Sequence, residues 1–192
     1  MKQVFVIPSL YLPPGELLSS LCGQQVVIDV NALWTRGKLS NRAHIVGPNG
    51  LQELIVPVVN SRAHIPINQI RVSYSDNWIR VHIGALEAAY NSSPFFPLFR
   101  DELFSALRSK PEFLHELNHR VNQALYRAAG IQVNSSPEES ADFITLNVLS
   151  HEEIASLPHL PPYPQPFGHK HGYRGGLSGV DLISCLGRLP TR

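Results

Sequence analysis

The chain has 192 residues, 43% hydrophobic and 16% charged, and its sixteen Lys and Arg against fifteen Asp and Glu leave a net charge of +1. That length holds one domain with a full core, or one domain with an attached lobe. The scattered basic residues exclude the electrostatic footprint of a nucleic-acid or anionic-membrane binder, and no apolar run approaches the roughly 20 residues of a transmembrane helix.

Val4 to Ile7 reads as a buried strand stopped by Pro8, Gly15 to Leu21 as a short helix with Leu17, Leu18 and Leu21 on one face, and Gln25 to Val30 as a second strand. Strand, helix, strand is the opening of a βαβ unit and predicts a parallel pair. Residues 31–50 are polar and end in the Asn49-Gly50 turn signal. Glu53 to Val59 and Ile67 to Tyr74 read as a hairpin with a long loop. Asp76 is placed to cap a helix running to Tyr90, with Trp78, Val81, Ala85 and Leu86 at helical spacing. Pro97 opens another helix through Leu103 and Leu107, and Pro111 the longest one, which Gly130 ends. A short strand at Phe143 to Val148 precedes a Pro-rich stretch. The expected organisation is α/β: a mixed sheet flanked by helices, with a core over 1–133, an extended connection over 134–162, and a C-terminal arm over 163–192 that packs back on the core. The two cysteines, Cys22 and Cys185, suit a reducing cytoplasm, and Met1 to Ile7 is too short for a secretory signal.

His115-Glu116-Leu117-Asn118-His119 is a literal H-E-x-x-H on a helical segment, the pattern of a zinc hydrolase. Helix phase argues against a metal there. Phe113, Leu117, Val121, Ala124 and Ala128 form the apolar face, so His115 and His119 fall on the opposite side, beside Asn122, which is expected to be solvated. The extended metalloprotease pattern also fails, because Asn122 and Leu125 stand where Gly and His belong. His169-Lys170-His171 reads as a polar loop.

Three polar blocks do not look like packing. They are Ser40-Asn41-Arg42 before Pro48-Asn49-Gly50 and Pro57-Val58; Trp78 and His82 before Tyr90 and Pro94-Phe95-Phe96; and Tyr163-Pro164-Gln165-Pro166-Phe167 before Leu177-Ser178 and Asp181-Leu182. With the Tyr11 loop, Pro8-Ser9-Leu10-Tyr11-Leu12-Pro13, these blocks resemble the WbqC-like protein family, bacterial proteins encoded with cell-surface polysaccharide (O-antigen) genes. The sequence departs from the family pattern at Cys185, where the family carries Asn, at Arg188, where it carries Pro, and in a shortened stretch before Tyr163.

The resemblance implies a cytoplasmic transferase acting on an activated sugar or an acyl or aminoacyl donor; no motif indicates a cofactor. Physically, Arg42 offers a donor fork for a phosphate or carboxylate, with Asn41 and Asn49 beside it. His82 is the best general base by type, and Asp181 is placed to orient it. Tyr11, Tyr90, Tyr163, Gln165 and Ser178 are candidate substrate contacts. Each has a plainer reading. Arg42 then bridges a carboxylate, His82 is a hydrogen-bonded core histidine, Asp181 and Ser178 serve a helix start, and Trp78, Phe95 and Phe96 are core. The alternative function is a non-catalytic binding or assembly protein of the same pathway, and a zinc hydrolase is the third.

Overall fold

The computed structural model of the protein describes residues 2–59, 64–134, 144–187 and 189. The βαβ opening forms as expected. β1 (Lys2–Pro8) and β2 (Gln25–Asp29) pair in parallel, Val4 opposite Gln25, with α1 (Gly15–Ser20) between them. Short apolar strands with Val4, Ile7 and Val26 out of water need a crossover to run parallel, and the 16-residue connection supplies it. Two more strands complete an all-parallel sheet of order β5-β2-β1-β6: β5 (Gln132–Asn134) beside β2, and β6 (Ile144–Val148) beside β1. The stretch expected as an extended connection thus contributes an edge strand and the five-residue helix α5 (His151–Ala155), whose N-terminus is closed by a Ser150–Glu153 capping box.

The second sheet corrects the predicted hairpin. The antiparallel pair is β3 (Arg42–Gly47) with β4 (Gly50–Ile55), joined at Pro48-Asn49, and Gly50 takes φ +105° to make the turn. The stretch Ile67 to Tyr74 is not a strand: Ile67–Gln69 is a 3₁₀ turn after Pro66, and Val58–Val72 is an isolated bridge. Its backbone is shared between two neighbours: Val59 N donates to Arg71 O and Ser73 N to Pro57 O, a remnant of the expected pairing, while Val72 N donates to Glu112 O and Leu114 N to Ile70 O at the start of the long helix.

Helices α2 (Trp78–Tyr90), α3 (Arg100–Arg108) and α4 (Leu114–Ala128) flank the sheets, the expected polar loop at His169 to His171 is the one-turn helix α6 (Gly168–His171), and α7 (Gly179–Leu186) packs on α1 and α4, so the C-terminal arm does return to the core. Asp76 does not cap α2, whose N-cap is Asn77 without a side-chain bond. Among the described residues, no helix is long and apolar enough to cross a membrane. The α1–α7 contact is tight because position 179 is glycine: a Cβ there would fall on Leu18 Cδ1 and lie 3.2 Å from Pro13 O. Gly179→Ala is therefore expected to cost about 1–3 kcal/mol, read as a lowered midpoint of thermal unfolding. An unchanged midpoint would mean that the two helices separate without penalty.

Candidate functional site

The arm brings five of the predicted residues to one place. Ser178 starts α7, its Oγ accepting from Val180 N at 3.2 Å, while its own N–H donates to His44 O on β3. One turn on, the Asp181 side chain is wholly buried. Its Oδ1 accepts from the Tyr163 hydroxyl at 2.7 Å and from Gln165 Nε2 at 3.1 Å. The Gln165 amide is itself fixed at both ends, donating to Arg174 O and accepting from Arg174 N, each at 2.9 Å. Tyr163 packs edge-on against Tyr173, whose hydroxyl donates to Leu160 O. Glu16 on α1 ties the same arm down, accepting from Gly176 N at 2.7 Å and meeting His159 Nδ1 at 3.2 Å.

Asp181 Oδ2 has no aligned hydrogen-bond partner, and neither has the buried hydroxyl of Tyr90. The two groups are close enough for each to shift the other's pKa. Burial raises the Asp181 carboxyl above its ordinary range, the donors Tyr163, Gln165 and Tyr90 pull it back, and the charge of Glu16 adds to the rise. Burial likewise raises both phenols, with Asp181 adding to each, so Tyr90 and Tyr163 stay protonated. A pocket of ≈ 390 Å³ opens beside this cluster, walled by Ser93, Pro94, Pro164, Gln165, Pro166 and Cys185. The Cys185 thiol is pushed up to about 12 by burial and by the Asp181 charge, which keeps it from acting as a thiolate nucleophile at neutral pH.

The expected Asp181–His82 pair does not form. His82 is 3% exposed, its Nδ1 lies 2.8 Å from the Tyr11 hydroxyl, and the Trp78 ring meets it edge-on with centroids 5.0 Å apart. The Ile55 carbonyl at the end of β4 also interacts with the ring, and burial lowers its pKa to about 4. These contacts make His82 a strut that holds the Tyr11 loop against the hairpin. Tyr11 is equally buried, and its hydroxyl is spent on this bond. Leu12 beside it sits at φ +45°, a conformation costing a branched residue about 1 kcal/mol or more, so the loop is held under strain.

The expected anion clamp is also engaged elsewhere. Arg42 Nη1 donates to both Glu53 oxygens, at 2.9 and 2.8 Å, across the β3–β4 ladder; a part-exposed pair of this kind contributes at most about 1 kcal/mol. Asn41 Nδ2 donates to Val56 O at 2.8 Å and is buried. Asn49 is exposed at the hairpin tip, where Lys170 Nζ donates to Pro48 O at 2.6 Å.

On α4, His119 meets Gln123 at 3.2 Å on the exposed face, and among the described residues no three His, Cys, Asp or Glu side chains converge as a metal site requires. Asn122, expected in water, is 1% exposed: its Nδ2 donates to Leu10 O at 2.8 Å. Asn118, one turn earlier, donates to Ser9 Oγ at 3.1 Å and to Ser40 O at 2.9 Å. These two amides fasten the loop leaving β1. Two Asn four residues apart inside a long helix, where Asn is a weak former, were the signal for that role.

A sequence profile described as the WbqC-like protein family matches residues 11–157, which takes in Tyr11 and His82 and stops short of Tyr163. An uncharacterized protein of Mycobacterium tuberculosis is 30% identical over 148 residues, an alignment covering 74% of this chain and 64% of that protein. The chain thus spans a little under two thirds of the length of the curated relative it matches. No solved structure matches it.

Proposed function

The chain belongs to the WbqC-like protein family, and from that premise we propose that it is a transferase of bacterial cell-surface polysaccharide (O-antigen) biosynthesis, working in the cytoplasm on an activated sugar or an acyl or aminoacyl donor. The pathway rests on the family's association with polysaccharide genes. The chemistry rests on one observation: a buried carboxylate, Asp181, oriented by Tyr163 and by Gln165, which with Cys185 lines the neighbouring pocket. Asp181 Oδ2 serves as the base. It takes the proton of an acceptor hydroxyl or amine as that atom attacks the donor's electrophilic carbon, and the donor's leaving group departs with the bonding pair. Protonation discharges a carboxylate that burial disfavours, so the site gains basicity from its own dryness. Tyr163 stays protonated throughout and keeps Oδ1 fixed.

A second reading, a binding or assembly protein that does not turn over, is favoured by the full burial of Asp181 and Tyr90. Thermal shift against nucleotide-sugars, acyl carriers and aminoacyl donors, with mass spectrometry of the products, separates the two. One donor class at about 100 times its dissociation constant should stabilise the protein by roughly 2.7 kcal/mol, and Gln165→Ala should lose that shift. A shift without product supports the binding reading. No shift from any donor overturns the transferase.

A further inference from the structure

From the carboxyl end of β1 the chain passes first to β2 on one side and, after β5, returns to β6 on the other. Parallel sheets place ligand crevices outside the carboxyl ends of their strands, at the point where successive connections diverge. A pocket of ≈ 240 Å³ lies there. Its floor is Val6 to Pro8 at the end of β1, and its walls are Asp29 to Thr35 after β2 and Val148 to Glu152 after β6. Leu33 and Val148, 55% and 65% exposed, line it as large apolar side chains left in water.

The polar groups in this crevice are few and unevenly used. Asp29 accepts from Asn31 N through Oδ1 at 2.9 Å, and Oδ2 has no partner among the described residues. His151 is held by Ser40 Oγ, 3.1 Å from its Nε2, while its Nδ1 is buried without a partner. Neither Lys nor Arg lines the pocket, and Lys38, the cation nearby, is bound to Glu152 at 2.7 Å. With Glu152 neutralised by Lys38, Asp29 is the uncompensated charge, and a carboxylate without a free cation beside it repels phosphate. The volume is also below the roughly 300–1,000 Å³ of drug-sized ligand sites, so it suits one sugar ring or a nucleoside rather than a whole nucleotide-sugar.

We infer that this crevice binds an uncharged, diol-bearing sugar ring, with the Asp29 carboxylate accepting from its hydroxyls and the ring's apolar face on Leu33 and Val148. The crevice lies apart from Asp181, and its occupancy does not depend on transfer taking place there.

Titration calorimetry on the full chain tests the inference with uridine, adenosine and a methyl pyranoside, each nucleoside beside its 5′-monophosphate. A neutral ligand should bind, and its phosphate should bind more weakly. The nucleoside and pyranoside arms distinguish a ribose from a hexose. Asp29→Asn should weaken binding about tenfold or more with an unchanged melting temperature, because the Asn oxygen can still accept from Asn31 N. Leu33→Ala should weaken it further. Tighter binding of the monophosphates, wild-type affinity in Asp29→Asn, or no binding by any of these probes overturns the proposal.

Discussion

Asp181→Asn is expected to lower transfer by about 10²–10⁴-fold, the usual contribution of a positioned base, while the melting temperature holds or rises. The amide oxygen keeps accepting from Tyr163 and Gln165, so the arm stays docked. What goes is the buried charge, and its pKa shift sets the sign. The folded-state pKa of Asp181 is raised, so its contribution to stability is fully present below the unfolded value near 3.9 and is lost as pH rises through the folded one. At neutral pH the ionised carboxylate is therefore a cost that Asn removes. Melting curves at pH 5 and pH 8 should show the variant gaining on the wild type at the higher pH. Asp181→Ala behaves differently, because it removes the acceptor of the part-buried Tyr163 hydroxyl and of Gln165 and should cost about 1–3 kcal/mol. Turnover surviving in Asp181→Asn would end the base assignment, and a lower melting temperature in that variant would make the carboxylate structural.

This site was legible in the sequence to the extent that it is local. Tyr163, Gln165, Ser178 and Asp181 lie within nineteen residues and fall in one of the three polar blocks, although Asp181 was expected to face His82. Tyr90 joins them only because α2 ends beside α7, which periodicity within either helix does not reveal. Glu16 and Ser93 escaped for the same reason. Asn122 was misread because helix phase put it opposite the apolar face, and Asn118 carried no signal of its own beyond its weak helix propensity. Their partners are backbone and hydroxyl oxygens 78 to 112 residues away, and only the folded chain shows them.

The fold divides along the same line. β1, α1 and β2 follow from a short apolar run, a helix and a second run, all within thirty residues. β3 was hidden by Arg42, His44 and Gly47, although Ala43 and Ile45 alternate with them and are buried. The Ile67 to Tyr74 stretch alternates as a strand should, yet its backbone bonds are split between residues 57–59 and residues 112–114, so no ladder forms. Alternation shows which side chains turn inward. It does not show which backbone lies alongside.

The expectation for His82 reverses between sequence and structure. By type it is the natural base, and its replacement would then leave stability untouched. In the fold it fills a buried gap between Tyr11, Trp78 and the end of β4. His82→Ala should accordingly cost about 2–4 kcal/mol from the lost packing and the stranded Tyr11 hydroxyl, several degrees of melting temperature in a chain of this size. The wild type carries the same information in its pH dependence. Burial lowers the His82 pKa from 6.5 to about 4, so its contribution is present in full above 6.5, declines as pH falls, and is gone below about 4. The step amounts to about 3 kcal/mol at roughly 1.4 kcal/mol per unit. His115 and His151, also lowered by burial, push in the same direction. His82→Gln cannot take up that proton, so the gap between its melting temperatures at pH 7 and pH 4.5 should be narrower than the wild type's. An equal gap in both proteins would place the acid step elsewhere. A His82→Ala protein that melts like the wild type yet transfers nothing would return this histidine to the chemistry.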